Sequence, residues 1–409
     1  MKLSRSLSLD SVLLTFSAII VVIIFFRYIF PGILELPVGD NLTIHVALAR
    51  SFLDGTFLHP NFKEMVLYPA SNETILAFLL LLGIPTNIFN ILGIYVLFGV
   101  SMYVGRIYGF RPSSALFFAI AISSTYGVLR WVLSQAIDIW LLTYFLLTLA
   151  LLHKPKRSAK HYLLLGFSSG MLLGSRFTAP LTLFSLFVLY YRNFLKYINL
   201  KSLLGFTGML SFFGLFWYIR NLLVAGNPFY PQPFLMFPGA CKTVCEFLTW
   251  TVWKSFITNP PHLVNAFISE YMIWSPVFVL LPIFYLVTRR RGKDNNLLII
   301  NRLILVGIIN LVFYFFFPSY KYYDSVVAGV RYSYPAFAAF MLALFLLTQK
   351  LKRERILEII TFANLSFLIL PVPYHPKILF IYVPLVTLLL LNLRKLRRLT
   401  VKNILGSRE

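Results

Sequence analysis

Apolar runs close to the length that crosses a bilayer recur along this chain from end to end. Residues 11–30, 203–219, 298–317 and 377–392 are four of them, against the ~20 residues a helix needs to pass the hydrocarbon. Backbone N–H and C=O groups have no water to bond there, so a spanning segment is either a helix or a strand of a closed barrel. Nothing in the chain alternates with the period of a barrel strand. Charged residues make up only 12% of the 409, well below what a soluble surface of this size carries. The fold class that follows is all-α integral membrane, a polytopic helical bundle whose chemistry, if it has any, lies on the outer face.

The net charge of +23 would suggest nucleic acid in a soluble protein. Here the positive charge falls in short blocks between apolar runs, at 154–160, 192–201, 289–293, 350–355 and 394–402. That is the pattern of cytoplasmic loops under the positive-inside rule. A nucleic-acid partner would call for a basic face on a soluble fold instead. Lys2 and Arg5 precede the first apolar run, which is too long for a signal peptide and has no small-residue cleavage site after it. It reads as a retained anchor.

Placing the basic blocks inside gives about twelve spans, at 11–30, 87–106, 113–129, 136–152, 161–175, 177–191, 203–221, 265–287, 298–317, 335–349, 356–372 and 377–392. The whole chain, 1–409, is then one polytopic domain in the plasma membrane with both termini cytoplasmic. Segment 74–84 is too short to span at ~1.5 Å per residue and is expected to dip into the outer leaflet and return. Two outer loops are long, 31–86 and 222–264, and function is expected there, the first being the catalytic one. Within the first, 40–54 reads as a short helix lying on the membrane, with Leu42, Val46, Ala49, Phe52 and Leu53 on one face.

Nine of the fourteen acidic residues fall outside or at the outer boundary on this topology: Glu35, Asp40, Asp54, Glu64, Glu73, Asp138, Glu246, Glu270 and Asp324. A carrier with a mid-membrane ion site would usually place carboxylates deeper. Chemistry at the outer interface fits better.

Several of these positions have both a structural and a functional reading. Asp40 follows Pro-Val-Gly and can cap the surface helix; it can equally be a carboxylate that deprotonates a hydroxyl or binds a divalent ion. His45, one turn on, is a packing or hydrogen-bonding residue or a substrate contact. Tyr68-Pro-Ala-Ser-Asn-Glu73 is a turn and helix start by composition. Asp138 is a lone acid at a helix N-terminus, where the dipole favours it. Arg176 and Arg331 are positive charges on the side where the charge rule does not expect them. Each either snorkels to lipid headgroups or meets a local anion. Cys241 and Cys245, four residues apart in the second outer loop, have no assigned role.

Five segments in chain order resemble the polyprenyl-phosphate-sugar-dependent GT-C glycosyltransferases, the broad group with protein O-mannosyltransferases and aminoarabinose transferases. Asp40-Asn-Leu-Thr-Ile-His45 is similar to their Asp-x-Leu-x-Tyr-His stretch, with Ile44 in place of the aromatic. Tyr68-Pro-Ala-Ser-Asn-Glu73 resembles a Tyr-Pro-x-x-x-Glu helix start, and Gly174-Ser-Arg-Phe-Thr178 a Gly-x-Lys-Tyr-Thr element. Trp217-Tyr-Ile-Arg-Asn221 with Gly226-Asn-Pro-Phe-Tyr-Pro231 is similar to the entry into their second outer loop. Arg331-Tyr-x-x-Pro335 resembles the start of a late helix. The resemblance implies a GT-C-like bundle that transfers a lipid-linked sugar, with Asp40 as the catalytic carboxylate. His45, Tyr68, Glu73, Asp138, Arg176, Arg220 and Arg331 would be its substrate-binding residues. Members often pair acids in the first loop, whereas Asn41 follows Asp40. A divalent cation, Mg or Mn, is therefore an optional cofactor and no metal ligands are assigned.

The chemistry expected of such a site is a single displacement. Polyprenyl phosphate is already a good leaving group, so the site needs a base for the acceptor hydroxyl and positive charge for the departing phosphate. Asp40 is the expected base, Arg176 and Arg331 the phosphate ligands, and Asp138 an orienting group. The partners are the polyprenyl-phosphate sugar, a lipid, glycan or protein acceptor, and membrane lipids. Two rivals stand beside this reading. A solute transporter would have polar residues at mid-membrane depth and paired broken helices, and a lipid-linked oligosaccharide flippase or polymerase would not need Asp40 at the interface.

Overall fold

The computed structural model describes residues 9–39, 41–58, 67–154, 158–196, 198–230, 251–288, 295–317 and 329–369, with a few single positions between 233 and 326. Those residues are all-helical, with no strand among them. In chain order the helices are α1 (Leu9–Ile24), α2 (Ala47–Leu53), α3 (Glu73–Leu81), α4 (Ile88–Ile107), α5 (Pro112–Ser123) and α6 (Tyr126–Leu129). Then come α7 (Asp138–His153), α8 (Ala159–Leu173), α9 (Ala179–Leu195), α10 (Leu200–Leu210) and α11 (Phe216–Ala225). The rest are α12 (Val252–Thr258), α13 (Pro260–Tyr271), α14 (Val277–Thr288), α15 (Asn295–Phe315), α16 (Tyr334–Lys350) and α17 (Glu354–Ile369).

Five helical stretches are long and apolar enough to cross a membrane: Thr15–Leu34, Ile88–Ile107, Leu200–Ala225, Leu297–Phe315 and Val330–Lys350. Large apolar side chains stand exposed along such helices, among them Phe26 on the first stretch, Leu204 on α10 and Phe316 just past α15. In water an apolar belt of this kind would be costly, and in lipid it is the expected surface. The centre is α7 and α16, whose side chains are buried almost throughout.

Several expected spans have a different form. The stretch 113–129 is α5 and α6 with a break between them. Ser123 Oγ and Thr125 Oγ1 donate back to the carbonyls of Ala119 (2.7 Å) and Ala121 (2.8 Å), the local competition with the helix ladder that hydroxyl residues offer. The stretch 265–287 is not one straight helix: Pro260–Trp274 and Val277–Val287 meet at 80°. Met272 leaves α13 with φ at 47°, and Pro276 has no N–H to continue the ladder. The short element near the end of the first outer loop is α3, nine residues long. The surface helix begins as a π-turn, Asn41–Val46, and runs into α2. It packs against α3 and buries Val46, Leu48, Ala49 and Ser51, and of its apolar face Leu42 and Leu53 stay outside the protein core. The wider π-turn shifts the register that a 3.6-residue period would give. The last expected span, 377–392, lies outside the described residues.

α7 ends and α8 begins at the basic block 154–160, α9 ends at the block 192–201, and α16 ends at the block 350–355. The start of α7, the α8–α9 turn and the start of α16 therefore share the opposite end of the bundle, the one the charge rule assigns to the outside.

Candidate functional site

The outer end is organised by a loop, 130–137, between α6 and α7. Asn90 of α4, buried, donates through Nδ2 to three of its carbonyls, Trp131 (3.1 Å), Ser134 (2.9 Å) and Ala136 (2.6 Å). Gln135 Nε2 donates to Asn87 Oδ1 at 2.5 Å, and Asn87 in turn donates to the carbonyls of Gly32 and Glu35. The Gln135 N–H donates to Asn41 Oδ1 at 3.2 Å. Amide side chains thus tie α4, the end of the first span and the start of the surface helix to the loop that delivers Asp138.

Asp138 is 1% exposed and opens α7, where the free N–H groups of the first turn favour a negative charge. Arg176 Nη2 donates to its Oδ1 at 2.8 Å, and Arg331 Nη1 lies 3.7 Å from its Oδ2, which accepts no hydrogen bond. Arg331 Nε is also buried without a hydrogen bond. Rings sit between and beside the guanidiniums: Arg176 is 4.4 Å above Tyr332, and Arg331 is 4.8 Å from Trp131 and 5.5 Å from Tyr332. Arg130 lies 4.7 Å from Trp131 on the same loop. Aromatic faces hold cations in place without neutralising them. Asp138 is shared by two guanidiniums and bonds closely only to Arg176, so Arg331 Nε keeps a donor for an anion in a half-dry setting.

A second buried pair adjoins the first. Glu270 of α13, fully buried, lies 3.1 Å from Arg130 Nη2. The Tyr334 hydroxyl is 2.6 Å from Glu270 Oε1 and 2.5 Å from the Gly127 carbonyl. A Cβ at Gly127 would collide with the Glu270 carboxyl, so α6 accepts the acid only because glycine stands there. Glu270 is within electrostatic reach of both Asp138 and Arg331.

The first outer loop supplies the remaining side. His45 Nδ1 and Glu73 Oε1 are 2.8 Å apart, with 17% and 2% of the two side chains exposed, and His45 is within electrostatic reach of Asp138. Ser71 and Asn72, before α3, bind the α8–α9 turn: the Ser71 N–H donates to the Gly174 carbonyl (2.9 Å) and Asn72 Nδ2 to Ser175 Oγ (2.7 Å). Ser71 Oγ donates to the Phe213 carbonyl and accepts from Trp217 Nε1 at 2.6 Å. A Cβ on Gly174 would clash with that hydroxyl. The Tyr68 ring packs 5.6 Å from Phe177, and the Tyr218 hydroxyl holds the Leu173 and Arg176 carbonyls at 3.0 and 3.2 Å.

No protein-family profile, no curated protein and no solved structure matches the chain.

The residues singled out in the sequence thus fall into two groups. His45, Glu73, Asp138, Arg176 and Arg331 come together, with the Tyr68 ring against the neighbour of Arg176. Arg220 does something else. It is buried, and its guanidinium donates to Asn221 Oδ1 (2.7 Å) and to the carbonyls of Tyr68 (3.2 Å) and Phe57 (3.4 Å). Those bonds fasten the first outer loop to α11 and leave little of the fork for a ligand. Asp40, Cys241 and Cys245 lie outside the described residues. Among the described residues no group of three or more His, Cys, Asp or Glu side chains is placed to hold a metal ion, so no position is assigned to a divalent cation.

Arg130, Trp131, Glu270 and Tyr332 were not anticipated as site residues. Some signal was there: Arg130-Trp131 directly follows an apolar run, and Glu270 is the one acid between 247 and 293.

Proposed function

We propose that this chain is a membrane glycosyltransferase of about twelve spans that moves a sugar from a polyprenyl-phosphate donor to an acceptor hydroxyl at the outer end of the bundle. The observation that carries the reading is the buried cluster in which Asp138 is shared by Arg176 and Arg331. Two of its members, Arg176 and Arg331, stand in segments that resemble the GT-C glycosyltransferases and are far apart in sequence. Buried charges are costly, and replacing an ion pair by apolar residues is often neutral or stabilising. A buried charged cluster at the end of a helix is accounted for by a ligand that binds it.

In the proposed reaction the acceptor oxygen attacks the anomeric carbon as the bond to the phosphate oxygen breaks, inverting that centre. Arg176 and Arg331 take up the charge that develops on the phosphate. Asp138 holds the two guanidiniums at a common position, which revises its expected role from orienting substrate to orienting the cations. Asp40 supplies the base, on the sequence reading. The polyprenyl tail lies among the helices, in a plasma membrane with both chain termini on the cytoplasmic side.

One observation favours a second reading. The 80° bend between Pro260–Trp274 and Val277–Val287 is a broken helix of the kind solute carriers use at their binding sites. Its acid, Glu270, is paired with Arg130 beside the outer cluster, which suits a positioning role for that cluster.

The test is incubation of the purified protein with a panel of polyprenyl-phosphate sugars. Release of polyprenyl phosphate is expected with at least one donor. Asp40→Asn keeps the capping ability of the side chain and removes the proton acceptor, so transfer should fall by roughly 10²–10⁴-fold while donor still binds. Uptake of a solute by proteoliposomes, without release from any donor, would establish the carrier reading instead.

A further inference from the structure

The pair His45–Glu73 is built in a way that neither packing nor phosphate binding requires. Glu73, at the first turn of α3, is 98% buried and its Oε2 makes no hydrogen bond. Its Oε1 faces His45 Nδ1 at 2.8 Å. A carboxylate in that position draws the ring proton onto Nδ1 and leaves the Nε2 lone pair free to accept another. Among the described residues Nε2 makes no hydrogen bond of its own, and 17% of the side chain remains exposed. The ring is also within electrostatic reach of Asp138, the carboxylate that holds Arg176 and Arg331.

We infer that His45 is a catalytic residue on which the acceptor's proton comes to rest, with Glu73 as its positioning residue. The inference rests on the transferase reading. As the acceptor oxygen bonds to the anomeric carbon, the electron pair of the broken carbon–oxygen bond leaves on polyprenyl phosphate. The hydroxyl proton, drawn off by Asp40 on the sequence reading, passes on to His45 Nε2 and ends there. The imidazolium so formed is stabilised by Glu73 on one side and by the nearby charge of Asp138, as an imidazole backed by a carboxylate is in hydrolytic triads. Arg176 and Arg331 hold the departing phosphate, so each half of the developing charge has a partner of opposite sign.

A plain structural role is the competing explanation, since the same bond staples the surface helix to α3. His45→Asn separates the two. Its side-chain NH₂ can stand where Nδ1 stands and donate to Glu73, which keeps the staple, but it has no nitrogen that accepts a proton. With the donor that wild type uses, His45→Asn should bind donor normally and transfer sugar roughly 10²–10⁴-fold more slowly. His45→Ala should be comparably slow and recover part of its rate when free imidazole is added. Glu73→Gln should lose less and gain nothing from imidazole. A His45→Asn protein that transfers at near the wild-type rate overturns the inference. So does a folded, donor-binding His45→Ala protein that imidazole does not revive. Wild-type protein that releases no polyprenyl phosphate from any donor overturns the transferase reading itself, a result distinct from either of these.

Discussion

At the inner end of the bundle Arg111 and Glu354 meet at 3.9 Å, with 70% of the arginine side chain exposed. At the outer end Arg176 and Asp138 meet at 2.8 Å, with 11% and 1% exposed, and Arg331 stands on the other carboxylate oxygen. The two ends share a chemistry and differ in solvent. An exposed pair is screened by water and contributes ~0–1 kcal/mol. A dry one costs several kcal/mol of desolvation per ion before its attraction is counted. The exposed charges at the basic end therefore need no ligand to account for them. The outer charges do, and the donor left on Arg331 Nε asks for an anion.

The largest effect that would sharpen this contrast is expected from Asp138→Ala. It leaves two buried guanidiniums without their carboxylate, a change that should destabilise the protein by about 3–5 kcal/mol. Thermal unfolding in detergent reads this, and a loss no greater than that of an inner-end variant would erase the distinction between the two ends. Arg220→Ala should come next. It removes charge-assisted bonds to the Phe57 and Tyr68 carbonyls, each such bond being worth roughly 1.5–3 kcal/mol. The first outer loop of the variant should become more open to limited proteolysis. Arg331→Lys keeps the charge and loses the planar fork, so affinity for polyprenyl phosphate should fall about tenfold, near ~1.4 kcal/mol. A lysine variant that binds as wild type does would make Arg331 a general cation rather than a shaped ligand. Arg111→Ala should change unfolding by less than ~1 kcal/mol. A larger loss there would show the inner pair to be more than surface decoration.

Much of this was readable from the amino-acid order, for reasons that differ by residue. Apolar runs and basic blocks are local signals, and they gave the helical hairpin whose turn carries Arg176, together with the helix starts at Asp138 and Arg331. A charge standing where hydropathy forbids one draws attention to itself. Arg130 and Glu270 escaped because their significance is a pairing across 140 positions of chain, which no local pattern encodes. The bend after α13 was legible in principle, since Pro276 interrupts an apolar run. The run was read as one span because its length fitted. The π-turn at Asn41–Val46 was not legible, because a wheel drawn at 3.6 residues per turn takes no account of a wider turn. Arg220 was the right kind of residue in the wrong role. The carbonyls it holds belong to a loop whose return path over α11 only the fold reveals.

In the proposed reaction Arg176 and Arg331, held by Asp138, bind the phosphate of a lipid donor. The most direct measurement is equilibrium binding of a short-chain polyprenyl phosphate to the detergent-solubilised protein, for wild type, Arg111→Ala and the double variant Arg176→Ala/Arg331→Ala. The account predicts saturable binding to wild type, the same affinity for Arg111→Ala, and at least a tenfold loss in the double variant, about ~1.4 kcal/mol or more. Binding to the folded double variant with wild-type affinity, or no binding to wild type, would contradict it.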